Sequence, residues 1–370
     1  MMEVVVLGGG VIGLTTALQL LRDPRIPSHL QVKVLAKSFE ATCSHAAGAW
    51  WIPDPSSPAS RFAQASESGA RYVRWAKETW KEMQDVEHCR MVPGVRLYLP
   101  SALQHGELCL EGPNSLQALV QKFQRLDLAG ASGAWPGAPV EVVKGFRGLE
   151  PPKSGISFET QFTKMDAYLA HLRGELNRSG RCQLLEREVS SLEEVTAAYS
   201  NAVAIVNCCG LTAGTLAKDP TMFAARGQTV LVDAPEQTSD QRPVYVLPQG
   251  DGTVAVGGCC LPEPRSPDAS ASRRVPGREG GWQCPELDQQ LAEEILRDAQ
   301  AWCPALRGRP VLRQSVGWRP FRDPAARVER DPEHPKVIHN YGHGDVGVIL
   351  SWGSAKEVAE ILLAMTQSKL

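Results

Sequence analysis

Val4-Val5-Val6-Leu7-Gly8-Gly9-Gly10-Val11-Ile12-Gly13 decides how this chain is read. An aliphatic run leads straight into G-x-G-x-x-G, formed by Gly8, Gly10 and Gly13. A continuous apolar run of this kind is a strand covered on both faces. The glycines have separate uses: a tight turn, close backbone approach to a pyrophosphate, and close packing of the next helix on the strand. From Ile12 to Leu21 the residues Leu14, Ala17, Leu18 and Leu21 recur at helical spacing. Pro24 and Pro27 end the pattern, and Gln31–Leu35 is a second strand. Strand, glycine loop, helix and strand form a dinucleotide-binding unit, with the helix N-terminus facing the phosphates. The apolar run has no basic leader and is too short for a secretory signal.

An acidic residue is expected at the end of the second strand, on the adenosine ribose. The chain has Ala36-Lys37-Ser38 there. Lys37 suits a ribose 2′-phosphate, hence NADP, or stands solvated beside the adenosine of FAD. On these residues alone both cofactors stay open.

The 370 residues make one large or two medium domains, and 43% hydrophobic residues allow a substantial core. A net charge of -2 points to no nucleic-acid partner, and no apolar run is long enough to span a bilayer. Ten cysteines occur without a Cys-x-x-Cys. The adjacent pairs Cys208-Cys209 and Cys259-Cys260 read as buried free thiols, and no disulfide framework is expected.

Farther along, 50–65 reads as a Pro/Ser-rich loop and Glu67–Met83 as a helix. Ala202–Val206 and Thr229–Val232 are strand-like. Val244–Leu247 and Thr253–Val256 form a hairpin across Pro248-Gln249-Gly250-Asp251-Gly252. Residues 262–281 read as a flexible surface loop and Leu287–Trp302 as a helix. The end runs strand (Val337–His339), glycine loop (Gly342, Gly344, Gly347), then helix (Ala355–Met365). His339 and His343 are four apart, but Asn340-Tyr341-Gly342 is not helical, so no metal site is expected. The last residues, Ser368-Lys369-Leu370, have the form of a peroxisomal import signal. They follow a helix and a polar Thr366-Gln367 step, so they are expected to be exposed. A dinucleotide enzyme with that address suggests an oxidase that makes hydrogen peroxide.

Four further segments narrow the choice: Ala46-Ala47-Gly48-Ala49-Trp50, Arg226-Gly227-Gln228, Val316-Gly317-Trp318-Arg319-Pro320, and His339-Asn340-Tyr341-Gly342-His343-Gly344. In this order, behind the N-terminal loop, the chain resembles the D-amino-acid oxidase and D-aspartate oxidase family over nearly its whole length. The resemblance implies an α/β fold: a Rossmann-like FAD-binding domain plus a mixed-sheet α+β substrate domain. The first would be assembled from 1–49, 141–211 and 312–366, the second from 50–140 and 212–311, with 367–370 as a targeting tail. It implies non-covalent FAD held by Gly8, Gly10, Val11, Ile12, Gly13, Lys37, Ser38, Thr42, Cys43, Gly48, Ala49, Val189, Cys209, Gly210, Gly344, Gly347, Val348 and Ile349. It implies oxidative deamination of a D-amino acid by hydride transfer from Cα to flavin N5. Dioxygen then reoxidises the flavin, giving a 2-oxo acid, ammonia and hydrogen peroxide. The peroxisomal import receptor is the expected protein partner, and a homodimer stays open.

Arg319 corresponds to the family arginine that binds the substrate carboxylate. An arginine in a strand-like Gly-Trp-Arg-Pro run is costly to bury without a partner, and a guanidinium grips a carboxylate through two hydrogen bonds. Tyr245 corresponds to the tyrosine that donates to the same carboxylate. Some relatives carry another pocket tyrosine where this chain has Gln241, so that lid contact is altered or absent. The run Gly344–Ile349 matches the flavin-edge loop, whose N–H groups would stabilise negative charge on the reduced ring. Asp345 departs from the Gly or Ser usual in relatives. Its carboxylate would favour a cationic substrate, unless it points to solvent or caps the next helix.

D-Aspartate oxidases carry an arginine soon after the Gly-Gly of the second hairpin strand. Gly257-Gly258 is followed here by Cys259-Cys260-Leu261, with no arginine before Arg265. Neutral, or cationic, D-amino acids are therefore the expected substrates, with D-aspartate oxidase as the alternative. A glycine or sarcosine oxidase would share the loop but lack the Arg-Pro and Tyr-Gly-His-Gly pairing. Intact Arg319 and Tyr245 speak against a non-catalytic flavin-binding protein.

Overall fold

The computed structural model describes residues 2–40, 42–51, 67–98, 120–127, 154–234, 239–241, 245–249, 251–257, 261–262 and 286–367. Most of the two expected loops, the Gly258–Cys260 run and the Ser368–Leu370 tail lie outside them. The opening unit forms as β1 (Glu3–Leu7), α1 (Val11–Arg22) and β2 (Gln31–Ala36). Then come α2 (Glu67–Met83), β3 (Cys89–Tyr98), β4 (Gln121–Asp127), β5 (Ser154–Thr163), α3 (Met165–Arg178), β6 (Cys182–Glu186), α4 (Leu192–Ala198), β7 (Ala204–Asn207) and α5 (Leu211–Leu216). The rest is β8 (Met222–Asp233), β9 (Ser239–Gln241), β10 (Tyr245–Pro248), β11 (Thr253–Gly257), β12 (Leu261–Pro262), α6 (Gln289–Trp302), β13 (Val311–Arg322), β14 (Arg327–Arg330), β15 (Val337–Tyr341) and α7 (Gly347–Gln367).

β1 is apolar on both faces because both faces are covered. It lies parallel between β2 and β7 in a six-stranded sheet ordered β14-β15-β7-β1-β2-β6. Val4 and Val6 enter the core shared with α1, α3 and α7. Val5 and Leu7 enter the opposite core, against Leu192 and Val195 of α4 and Leu216 of α5. All four are fully buried, and each such side chain contributes about 1.5–3 kcal/mol. Helices on both faces of a mostly parallel sheet make this layer Rossmann-like.

The second sheet has nine strands: β12-β8-β11-β10-β9-β3-β5-β4, with β13 on β8. Its pairings are antiparallel except β3 with β9, so it is the mixed sheet expected of a substrate domain. The hairpin is present, with Val246 opposite Val256. One face of the β8–β11–β10 region carries Val230, Val232, Val246, Val254 and Val256 against Ala292, Ile295 and Ala299 of α6. The other face is turned away from α6 and carries the candidate site. β5 and β13 both hydrogen-bond into this sheet, although they fall mostly within segments expected for the nucleotide domain.

The last helix corrects the sequence reading. It starts at Gly347, not near Ala355. The run to Ser354 holds Gly353, Ser351 and Ser354, which are weak helix formers. Packing makes up for propensity: Ile349, Leu350 and Trp352 are buried. Gly353 is where α2 crosses, since a Cβ there would lie 2.1 Å from the Trp75 Cα. No helix among the described residues is long and apolar enough to cross a membrane.

Candidate active site

The glycine loop closes as its spacing predicts. Gly8 has φ +115°, and a Cβ there would lie 2.3 Å from the Cys208 carbonyl oxygen. A Cβ on Gly13 would lie 1.9 Å from the Gly8 carbonyl oxygen. Glycine alone fits both positions. Gly10 caps α1 without a side-chain bond, and the first turn holds no acidic residue. The first-turn N–H groups of α1 that follow Val11 thus face a cradle that a pyrophosphate fits and that side chains would fill. Ile12 is close by the C-terminal loop, since a Cβ on Gly347 would stand 4.0 Å from Ile12 Cδ1.

Segment 42–49 forms one wall. Thr42 opens a 3-10 turn over Cys43–Ala46: its N–H donates to His45 Nδ1 at 3.3 Å, and its hydroxyl lies 2.9 Å from the same atom. Burial holds the His45 imidazole below its ordinary pKa. Ser44 Oγ accepts from the Val11 N–H at 3.0 Å and so pins the turn to the start of α1. Cys43 is not part of a disulfide. After Gly48, Ala49 adopts φ 45°, a left-handed conformation, and its carbonyl accepts from the Thr163 N–H at 3.0 Å. At the adenosine end Lys37 pairs with Glu188 at 2.8 Å, and Ser38 Oγ accepts from the Glu40 N–H at 3.1 Å. Val189 and Cys209 pack on the cluster that contains Leu7 and Leu35. Burial pushes the Cys209 thiol up to about 12, which makes it an inert wall. Gly210 follows at φ 58°.

The substrate end is built on β13 and β8. Gly317 faces Gly227 across the pair, and Arg319 faces Ala225. The Arg319 guanidinium lies flat on Gly227: a Cβ there would be 2.7 Å from Cζ, 2.8 Å from Nη1 and 2.9 Å from Nη2. Nη1 donates to the Arg226 carbonyl at 3.2 Å. A Cβ on Gly317, same-faced with Arg319 two residues on, would meet Ala46 Cβ at 3.4 Å and Cys43 Sγ at 3.8 Å. The arginine therefore shares a sheet face with the wall of the dinucleotide cradle. The register runs Tyr245–Gly257–Thr229–Ser315 across four strands, two residues along from Gly227 and Gly317. Position 245 thus shares the pleat parity of Arg319, and Gln241 lies opposite it on β9. Only the backbones of Tyr245 and Gln241 are described.

The flavin-edge run is tied to the same strand, because the Gly344 N–H donates to the Pro320 carbonyl at 2.8 Å. This corrects one expectation. The Gly344 N–H is engaged, and the Val346 N–H goes to the His343 carbonyl at 3.2 Å. The N–H groups that open α7, at Gly347, Val348 and Ile349, have no intrahelical acceptor. They carry the positive end of a 21-residue helix. Asp345 is exposed in the turn before that helix.

His339 and His343 do not converge. His339 Nε2 lies 2.7 Å from Asp331 Oδ2. The His343 ring packs 6.2 Å from Trp75, and burial, helped by Arg71, pushes its pKa down to about 3. Ser44, Glu188 and Gly227 were missed as site residues, although Gly227 sits in a quoted motif. No local signal marks Ser44 or Glu188, since each acts on a distant segment.

A family model described as FAD dependent oxidoreductase, DAO, matches residues 3–361. The chain is 30% identical to a D-amino-acid oxidase of Streptomyces coelicolor over 370 residues, covering 97% of this chain and 96% of that one. It is 37% identical to a D-amino-acid oxidase of Rubrobacter xylanophilus over 243 residues, 61% of this chain and 67% of that one. A human D-aspartate oxidase is 30% identical over 60% of this chain and 63% of its own length. Among solved structures, glycine oxidase from Geobacillus kaustophilus matches with TM-score 0.68 at 18% identity, over 98% of this chain and 95% of that one. The FAD-bound L-alpha-glycerophosphate oxidase of Mycoplasma pneumoniae matches with TM-score 0.70 at 15% identity, over 98% and 95%. At those identities the structural likeness shows the fold.

Proposed function

The chain belongs to the DAO family of FAD-dependent oxidoreductases, and we propose that within it the protein is a D-amino-acid oxidase acting on neutral D-amino acids. One observation carries this reading: the Arg319 guanidinium rests on Gly227, on the sheet face that meets the cradle wall at Ala46 and Cys43. Held by the Arg226 carbonyl, it is set for a carboxylate before any substrate arrives, and that preorganisation lowers the cost of binding. The likeness to two D-amino-acid oxidases supports the same choice.

FAD, when bound, supplies the two-electron acceptor and passes the electrons to dioxygen. The chain's own residues bind and orient. Arg319 grips the carboxylate through two charge-assisted hydrogen bonds, and Tyr245 donates a further one. With the carboxylate fixed, the Cα–H has one direction to point, and such orientation is worth up to about 7–11 kcal/mol of barrier. A substrate bound as the neutral amine needs no side-chain base. The first-turn N–H groups of α7 offer their dipole end to negative charge that develops beside them. Asp345 is exposed, so solvent and salt screen its charge.

Anaerobic mixing of the purified yellow protein with D-Ala is expected to bleach the flavin absorbance, and admission of air to restore it. A spectrum unmoved by a panel of D-amino acids refutes the assignment. The likeness to human D-aspartate oxidase keeps D-Asp as the second reading, and the ratio of D-Ala to D-Asp turnover separates the two. Import into peroxisomes through Ser368-Lys369-Leu370 and assembly as a homodimer belong to the same proposal. A truncation at Gln367 that is still imported argues against the first, and a monomeric mass in solution against the second.

A further inference from the structure

A dinucleotide unit ordinarily holds the adenosine ribose with an acid at the end of its second strand. Lys37 occupies that place here. The neighbouring parallel strand supplies what is missing. β2 pairs with β6 up to Ala36 opposite Glu186, and the Arg187 N–H donates to the Ala36 carbonyl at 2.8 Å. The two strand ends are thus locked side by side. One residue farther, Glu188 Oε1 accepts from Lys37 Nζ at 2.8 Å. The next residue, Val189, packs on the cluster that contains Leu7 and Leu35.

The glycine loop rests on the same spot. The Gly8 N–H donates to the Leu35 carbonyl at 2.8 Å, and a Cβ on Gly9 would lie 2.9 Å from Ala36 Cβ and 3.0 Å from the Ser38 carbonyl oxygen. Ligands of parallel sheets bind at the carboxyl ends of the strands, where Lys37 and Glu188 both stand. Their side chains are 75% and 68% exposed, so the pair adds little to stability. A carboxylate only accepts hydrogen bonds, and Glu188 Oε2 receives none from the described residues.

We infer that Glu188, brought in from β6 and held by Lys37, is the ribose-binding acid of this chain, and that the pair excludes a ribose 2′-phosphate. A ribose hydroxyl donates to the carboxylate. A 2′-phosphate would meet that carboxylate's charge, and the lysine that could offset it is already engaged. The site therefore takes the adenosine half of FAD and rejects the NADP that Lys37 by itself suggests. This rests on FAD as cofactor and not on the identity of the substrate.

Removal of FAD from the holoenzyme and re-titration, followed by flavin fluorescence, tests it. FMN, which lacks the adenosine, is the control ligand. Glu188→Gln is expected to raise the FAD dissociation constant about tenfold, the loss of one hydrogen bond to a charged group. Glu188→Lys, with two lysines and no acid, loses the same hydrogen bond and sets a second positive charge beside Lys37, so it is expected to lose at least about the same tenfold. The exchange Lys37→Glu with Glu188→Lys restores an acid at the end of β2 and recovers FAD affinity. FMN affinity stays level in all three. Unchanged FAD affinity in Glu188→Lys, equal weakening of FMN, or no recovery in the exchanged pair overturns the inference. The readout is cofactor affinity, so a failed substrate assignment leaves it standing.

Discussion

Gly227→Ala tests the carboxylate site without touching the arginine itself. The new Cβ would sit 2.7–2.9 Å from three guanidinium atoms of Arg319. Ordinary carbon contacts are about 3.5–4.0 Å, so the guanidinium must retreat by about 1 Å. The neighbour that gives way is the end of a flexible side chain, so β8 and β13 keep their register and the fold survives. A misplacement of that size costs about 100-fold in rate, or about 2.7 kcal/mol of transition-state binding. The assay is kcat/KM for D-Ala in parent, Gly227→Ala, Arg319→Ala and the double variant, with Tm and flavin content recorded for each. Acting through Arg319, the alanine is expected to cost about 100-fold in the parent and almost nothing once Arg319 is gone, since coupled sites are not additive. Activity within about twofold of parent in Gly227→Ala would refute the reasoning, as would an equal loss in both backgrounds.

Arg319→Ala should cost about 3 kcal/mol or more in kcat/KM for neutral D-amino acids with FAD retained, and Tyr245→Phe about 1 kcal/mol, because a neutral hydrogen bond is the weaker; steady-state kinetics with D-Ala decide both. Asp345→Gly should alter D-Ala, D-Lys and D-Asp about equally, because an exposed charge is screened; a shift of tenfold or more in their kcat/KM ratios would put its carboxylate in the pocket. Burial pushes His343 down to about 3, while an unfolded imidazole titrates near about 6.5. Between those values the unfolded chain binds the extra proton. This contribution is therefore whole above about pH 6.5 and falls by about 1.4 kcal/mol per unit below it. His343→Asn should flatten the decline of Tm between about pH 6 and 4.5, and parallel curves for the two proteins would show that His343 does not carry it. The lowered carboxylates, Asp331 at about 2 among them, act below that window.

Local chemistry alone announced the β1–α1–β2 unit. A run buried on both faces, glycines that admit φ > 0 and a 3.6-residue apolar period are written in consecutive residues. The hairpin was legible for the same reason, and Arg319 through a motif of adjacent residues. Residues far apart in the chain decided the rest. Ser44 reaches Val11 across 33 residues, Arg319 reaches the Arg226 carbonyl across 93, and Lys37 meets Glu188 across 151. No periodicity encodes such pairs; strand register and sheet order create them. The early start of α7 follows the same logic, because burial of Ile349, Leu350 and Trp352 outweighs the weak helix propensity of the glycine and serines around them. The residue types named the chemistry in one dimension, whereas the pairing of β13 with β8 and of β2 with β6 brought that chemistry together in three.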